Sequence, residues 1–109
     1  MIVSNIISDV KNTKYFTVLA DEVSCHNVAI CLRFVDDKNE IREEVITFVK
    51  LERVRANDIA NAIIQSLEGF GLSLDGLRGQ GYDGASTMSG QKGGVQAKIR
   101  SKQPWTCWT

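Results

Sequence analysis

The sequence predicts an α/β fold: an antiparallel meander of three strands, a fourth strand parallel to the first, and helices packed on the sheet. Three observations carry this expectation. The stretch Lys14–Asp21, KYFTVLAD, is apolar on both period-2 faces, with Phe16, Val18 and Ala20 on one and Tyr15 and Leu19 on the other. That pattern is expected of a central strand covered on both sides. Two further strand-like runs follow before residue 50 with no room for helices between them, so the three strands must run antiparallel. After Arg55 the apolar period lengthens to that of a helix. A helix between two strands is a crossover, and its right-handed geometry brings the fourth strand alongside the first.

The elements follow in order. Ile2, Ile6, Ile7 and Val10 recur at helical spacing, which predicts a short amphipathic helix over residues 2–12. Asn12-Thr13 ends it ahead of the first strand, and residues 23–27 read as a short loop. In the second strand, residues 28–35, Val28, Ile30, Leu32 and Phe34 share one face, and Ala29, Cys31 and Arg33 the other. Asp36-Asp37-Lys38-Asn39 is turn material and makes a hairpin with the strand IREEVITFVKL. The following helix presents Ile59, Ile63, Leu67 and Phe70 on one face, joined by Ala60 and Ile64, with Gly69 and Gly71 at its exit. A short fourth strand is expected around residues 77–81, leading into Asp83. The glycine- and hydroxyl-rich residues 84–94 read as an irregular turn, residues 95–100 as the start of a helix, and KQPWTCWT as an irregular tail that supplies no further strand.

Composition narrows the function classes. A chain of 109 residues is one small domain at most, and thirteen basic residues balance thirteen acidic ones, so net charge gives no electrostatic argument for nucleic acid and does not exclude it, since affinity depends on local patches. Three cysteines without CxxC spacing read as reduced thiols, and the single histidine, His26, reads as a loop residue. No apolar run is long enough for a membrane span, and the first residues lack the basic flank of a signal peptide. No zinc-finger spacing, helix-turn-helix pattern or basic helix is present. The glycines of RGQGYDGAS lack the Lys-Ser/Thr of a P-loop. Arg78 and Lys92 flank Asp83 in sequence as possible phosphate contacts.

The acids carry the chemical interest. Asp21 closes the first strand and Asp83 follows the fourth, so the predicted topology brings both to neighbouring carboxyl ends, where α/β folds expose groups for ligands. Two such carboxylates can hold a divalent ion such as magnesium. Paired ions of that kind activate a water and stabilise a leaving oxygen in phosphodiester chemistry. The alternative is that both acids simply cap turns. Glu22 joins them only if the strand stops at Asp21.

KYFTVLADE, CLRFVD, IREEVITFV and above all LRGQGYDGASTMSGQKGGVQAKI resemble the start of the catalytic domain of hAT-superfamily transposases. The branch is that of zinc-finger MYM-type proteins and the repressor of the inhibitor of protein kinase. The resemblance covers residues 2–100. It implies an RNase H-like fold, incomplete here, with residues 1–101 as its N-terminal part and residues 102–109 as a tail outside the likeness. It also implies that Asp21 and Asp83 are the catalytic, metal-binding acids, and that Gly84, Ala85, Ser86 and Met88 shape and pack the turn beyond the second acid.

Complete relatives use Mg2+ or Mn2+ and a distant glutamate for strand cleavage and transfer on DNA. Here Ser24-Cys25 stands where relatives carry a further acid, the loop before CLRFVD is about four residues short, and nothing corresponds to the final glutamate. The expectations are a piece of a transposon-derived transposase, inactive as this chain and with little hold on metal, or a non-catalytic interaction module. A sequence remnant without selected function is the third. The resemblance also implies nuclear residence, and an unpaired fourth strand implies an edge for a protein partner or self-association.

Overall fold

The computed structural model describes residues 2–24, 26–53, 55–84, 92–104 and 107–108. Helix α1 (Ile2–Asn12) buries Ile6, Ile7 and Val10 against the sheet, as their spacing predicts. Lys11 sits in its last turn, where a cation suits the carbonyl end of the helix dipole. Thr13 closes the helix, its Oγ1 donating to the Val10 carbonyl at 2.7 Å. One turn earlier, the Asp9 carboxylate accepts from the Arg42 guanidinium at 2.6 Å and ties the helix to the third strand.

Strands β1 (Phe16–Ser24), β2 (Asn27–Val35) and β3 (Ile41–Lys50) form the antiparallel meander. β1 runs three residues past Asp21, and Ser24 pairs with Asn27, so the expected loop over residues 23–27 contracts to a hairpin link. His26 takes a left-handed φ of 61°, as tight two-residue links demand. Between β2 and β3, Asp36 Oδ1 accepts from the backbone N–H groups of Lys38 and Glu40, both at 2.9 Å, which explains why an aspartate begins this turn. A register shift opposite Ile30 and Cys31 makes Ile46 the extra residue of a bulge, and its side chain remains in the core.

Helix α2 (Ala56–Gly69) buries Ile59, Ala60, Ile63 and Leu67. It ends in a Schellman motif: Leu72 N–H bonds to Leu67 O and Gly71 N–H to Glu68 O, both at 2.9 Å, with Gly71 at a φ of 77° that only glycine adopts freely. A 3-10 turn, Leu74–Gly76, leads into β4 (Leu77–Gly84). β4 lies parallel to β1, as a crossover requires. It is longer than expected and holds Asp83 within the strand. Helix α3 (Lys92–Lys102) packs on α2 and buries Val95 and Ile99, so the helix read as a mere start over residues 95–100 is a full element.

Two expectations need correction. The ending KQPWTCWT, expected to be irregular and to supply no strand, does supply one: α3 runs through Lys102, Gln103 Nε2 donates to the Leu74 carbonyl at 2.7 Å, and β5 (Cys107–Trp108) pairs parallel with Gly79 and Gln80. The sheet order is thus β3-β2-β1-β4-β5, and the outer edge of β4 is partly covered. The strand gives no signal in the sequence because two bridge residues are too few to show a period. The second correction concerns cover. The core joins α1, α2 and α3 to one sheet face through Val18, Ala20, Val28, Ile30, Leu32, Phe34 and Leu77. The other face, with Leu19, Cys31, Val45 and Phe48, has no helix on it among the described residues. Leu19 is half-buried there. None of the described helices is long and apolar enough to cross a membrane.

Candidate functional site

The parallel pairing of β1 and β4 fixes the geometry of the acids. Their register runs Leu19 to Gly81, Ala20 to Tyr82, Asp21 to Asp83 and Glu22 to Gly84. Asp21 and Asp83 are therefore direct neighbours across the ladder, with backbones about 4.8 Å apart, although 62 positions separate them in the chain. Local sequence accounts for each strand end. The apolar run through Val18 and Ala20 anchors β1, and Tyr82, 6% exposed, anchors β4 on the same covered face.

Alternation then turns the Asp21 carboxylate to the open face, where it is exposed. It shares that face with Cys31, half-buried in the neighbouring strand. The Cys31 thiol is pushed above its ordinary pKa, first by burial and then by the negative charges of Glu43 and Asp21. Glu43 is itself paired with Arg33 at 3.0 Å across β2 and β3.

Glu22 does not join the pair. Because β1 continues to Ser24, Glu22 alternates to the helix-covered side. There Oε2 accepts from His26 N–H at 3.4 Å, and Oε1 is buried without a hydrogen-bond partner among the described residues. Gly84 ends β4 opposite Glu22. Ala85, Ser86 and Met88, expected to shape the turn beyond, lie outside the described residues.

Arg78, read from sequence as flanking the second acid, is at the wrong end of the strand. It sits where β4 begins, about 17 Å from Asp83 at roughly 3.3 Å per residue. There its guanidinium lies over the Tyr15 ring at 4.6 Å. Sequence reasoning missed this Tyr15–Arg78 contact, because only the parallel pairing of β1 and β4 brings the two strand starts together.

Two aspartates at paired ladder positions are the number of protein carboxylates that one hard divalent cation accepts beside water. They do not fit two ions. Among the described residues no group of three or more His, Cys, Asp or Glu side chains could hold a metal.

A protein family described as "DUF4371: ZMYM1/FAM200, RNase-like domain" matches residues 1–94. The chain is similar to the 52 kDa repressor of the inhibitor of the protein kinase from Mus musculus, with 27% identity over 108 residues, 94% of this chain. The same-named protein from Homo sapiens is 25% identical over 107 residues, also 94% of this chain. The chain spans only 14% of the length of these two relatives. Among solved structures, YeaZ from Pseudomonas aeruginosa superposes with a TM-score of 0.52 at 14% identity, over 87% of this chain and 43% of that one. That likeness speaks to the fold alone.

Proposed function

The chain belongs to the DUF4371 family of ZMYM1/FAM200 RNase-like domains, and from that premise we propose that it is the opening portion of a transposase-derived nuclease domain. In this reading Asp21 and Asp83 are the surviving acids of its metal centre. The single observation that carries the reading is the ladder register: the two aspartates singled out by the resemblance are direct partners on parallel strands. In this reading a shared cation would sit where the two paired positions meet.

Asp21 and Asp83 would hold Mg2+ or Mn2+. A bound divalent ion neutralises charge on a phosphoryl oxygen and lowers the pKa of its water. The chain's own contribution is to hold the two aspartate backbones at a fixed separation, since neighbouring ladder positions cannot drift apart without breaking β1 from β4. Glu22, turned to the covered side, adds nothing to this donor set. With two carboxylates and no third among the described residues, the pair would hold metal weakly and leave a scissile phosphate poorly positioned, where an error of 1 Å is worth about a hundredfold in rate. We therefore propose that these 109 residues bind metal at the pair but do not cleave DNA. Action on DNA, and residence in the nucleus, belong to the same proposal for the complete protein.

Manganese titration of the labelled chain, followed by amide line broadening, tests the metal pair. Broadening is expected to centre on residues 20–22 and 82–84 and to vanish in Asp21→Asn. Broadening elsewhere, or none, would defeat it. Incubation with nicked and hairpin-forming DNA ends tests the inactivity. Turnover above an Asp21→Ala/Asp83→Ala control would show that two acids suffice.

One observation favours a second reading, a regulatory module that acts by pairing with a second copy. β3 ends the sheet order, and its Ile41 and Phe48 are 75% and 64% exposed. An edge strand with free main-chain groups and apolar flanks is a template for strand addition. This edge, rather than the fourth strand, is where self-association would occur, because β5 partly covers β4.

A further inference from the structure

At the end of the sheet opposite the aspartates, a cavity of about 480 Å³ opens between the end of α1, the 3-10 turn and the starts of β1 and β4. Its walls carry the cations Lys11, Lys14 and Arg78, the hydroxyls of Thr13 and Ser73, and one carboxylate, Asp75. Three positive charges against one negative is a strong local excess in a chain whose net charge is zero. None of the three cations has an ion-pair partner within 4.0 Å among the described residues.

The cations are held in place. Lys14 and Arg78 both approach the Tyr15 ring, at 5.5 and 4.6 Å. The Lys11 ammonium lies against Gly71, where a side-chain carbon would stand only 3.1 Å from its Nζ. Gly71 therefore serves twice, ending α2 with a positive φ and leaving room for the lysine.

Arg78 supplies the most direct sign of a ligand. Its Nη1 is buried and lacks a hydrogen-bond partner among the described residues. A buried charged donor left unsatisfied is costly and calls for an acceptor such as a water or an ion. The two hydroxyls are tied to nearby backbone: Thr13 Oγ1 donates to the Val10 carbonyl, and Ser73 Oγ accepts from Asp75 N–H.

From these observations we infer that this cavity is an anion site for a phosphoryl group. A planar guanidinium grips two phosphate oxygens, and two ammonium groups satisfy the remaining charge. The volume lies within the range of small-ligand sites and exceeds what inorganic phosphate alone fills, which points to the phosphate of a nucleotide, free or within a strand. The site is independent of the aspartate pair, about 17 Å distant along β4.

The test is an amide-resolved titration of the full chain with inorganic phosphate, a nucleoside monophosphate and a short single-stranded oligonucleotide, against chloride at matched ionic strength. Saturable shifts at Lys14, Gly71, Gly76 and Arg78 are expected. The nucleotide should bind more tightly than phosphate, and a further gain with the oligonucleotide would identify a strand as the source. Arg78→Met and Lys14→Met should each weaken binding on the order of tenfold, while Asp21→Asn leaves it unchanged. Lys11→Met, on an exposed helix end, provides the same readout if the strand variants fail to fold. Non-saturating shifts, shifts equal to those in chloride, or undiminished binding in folded variants would overturn the assignment.

Discussion

Tyr15 and Tyr82 are the chain's two tyrosines, and their surroundings push them in opposite directions. The Arg78 side chain foremost, and then Lys14, draw the Tyr15 hydroxyl below its ordinary pKa of 10.0. Burial holds Tyr82 well above the same value. A phenolate absorbance titration should therefore separate into two phases, one below and one above about pH 10. Arg78→Met should move the first phase upward and leave the second in place. A single phase at the ordinary value would contradict the Tyr15–Arg78 contact.

The linked stabilities also have opposite signs. The contribution from neutral, buried Tyr82 is full below about pH 10 and is lost as pH rises toward its raised folded pKa. That from Tyr15 is absent below its lowered folded pKa and complete above about pH 10. Thermal melts above about pH 10, where the Tyr15 contribution is complete, should consequently lose stability with pH, and Tyr82→Phe should flatten that loss.

Among the elements, the β1–β4 pairing matters most, since it positions both the aspartates and the cation cavity. It depends on close approach at one point. A side-chain carbon added at Gly79 would stand 2.5 Å from Thr17 Oγ1 and 3.0 Å from Thr17 Cγ2 on the partner strand. Gly79→Ala should destabilise the chain by about 1–3 kcal/mol through overpacking, and Thr17→Ala in the same molecule should restore part of the loss. Denaturant midpoints of the two single variants and the double variant measure this. Strict additivity would mean that the strands yield elsewhere. The crossover helix makes the second demand. Ile63 is fully buried at the centre of α2, and Ile63→Ala should cost about 2–5 kcal/mol, a large part of the roughly 5–15 kcal/mol that holds a domain of this kind together.

Across the whole molecule the radius of gyration is 13.1 Å, the value of about 13 Å expected for a compact chain of this length. Compactness is reached with helices on one sheet face and exposed Val35, Ile41, Val45 and Phe48 left on or beside the other. If β3 recruits a second copy, sedimentation should show concentration-dependent dimers that Phe48→Glu abolishes. A monomer at every concentration would remove the regulatory reading.

Much of this was legible in the order of residues. Helix α1, the meander, α2 and the parallel fourth strand follow from apolar periods that burial on one side imposes locally, and the run of KYFTVLAD into an aspartate marked the strand that matters. Sequence fixed neither the continuation of β1 to Ser24 nor the two-residue β5, since a strand end is set by its neighbour's hydrogen bonds and not by its own side chains. For the same reason it misjudged the cover of the second sheet face and the place of Arg78. Which residues carry charge was written in the chain. Only the parallel ladder decided which of them meet, because it joins positions 62 residues apart in register, setting Asp21 beside Asp83 at one end and Tyr15 beneath Arg78 at the other.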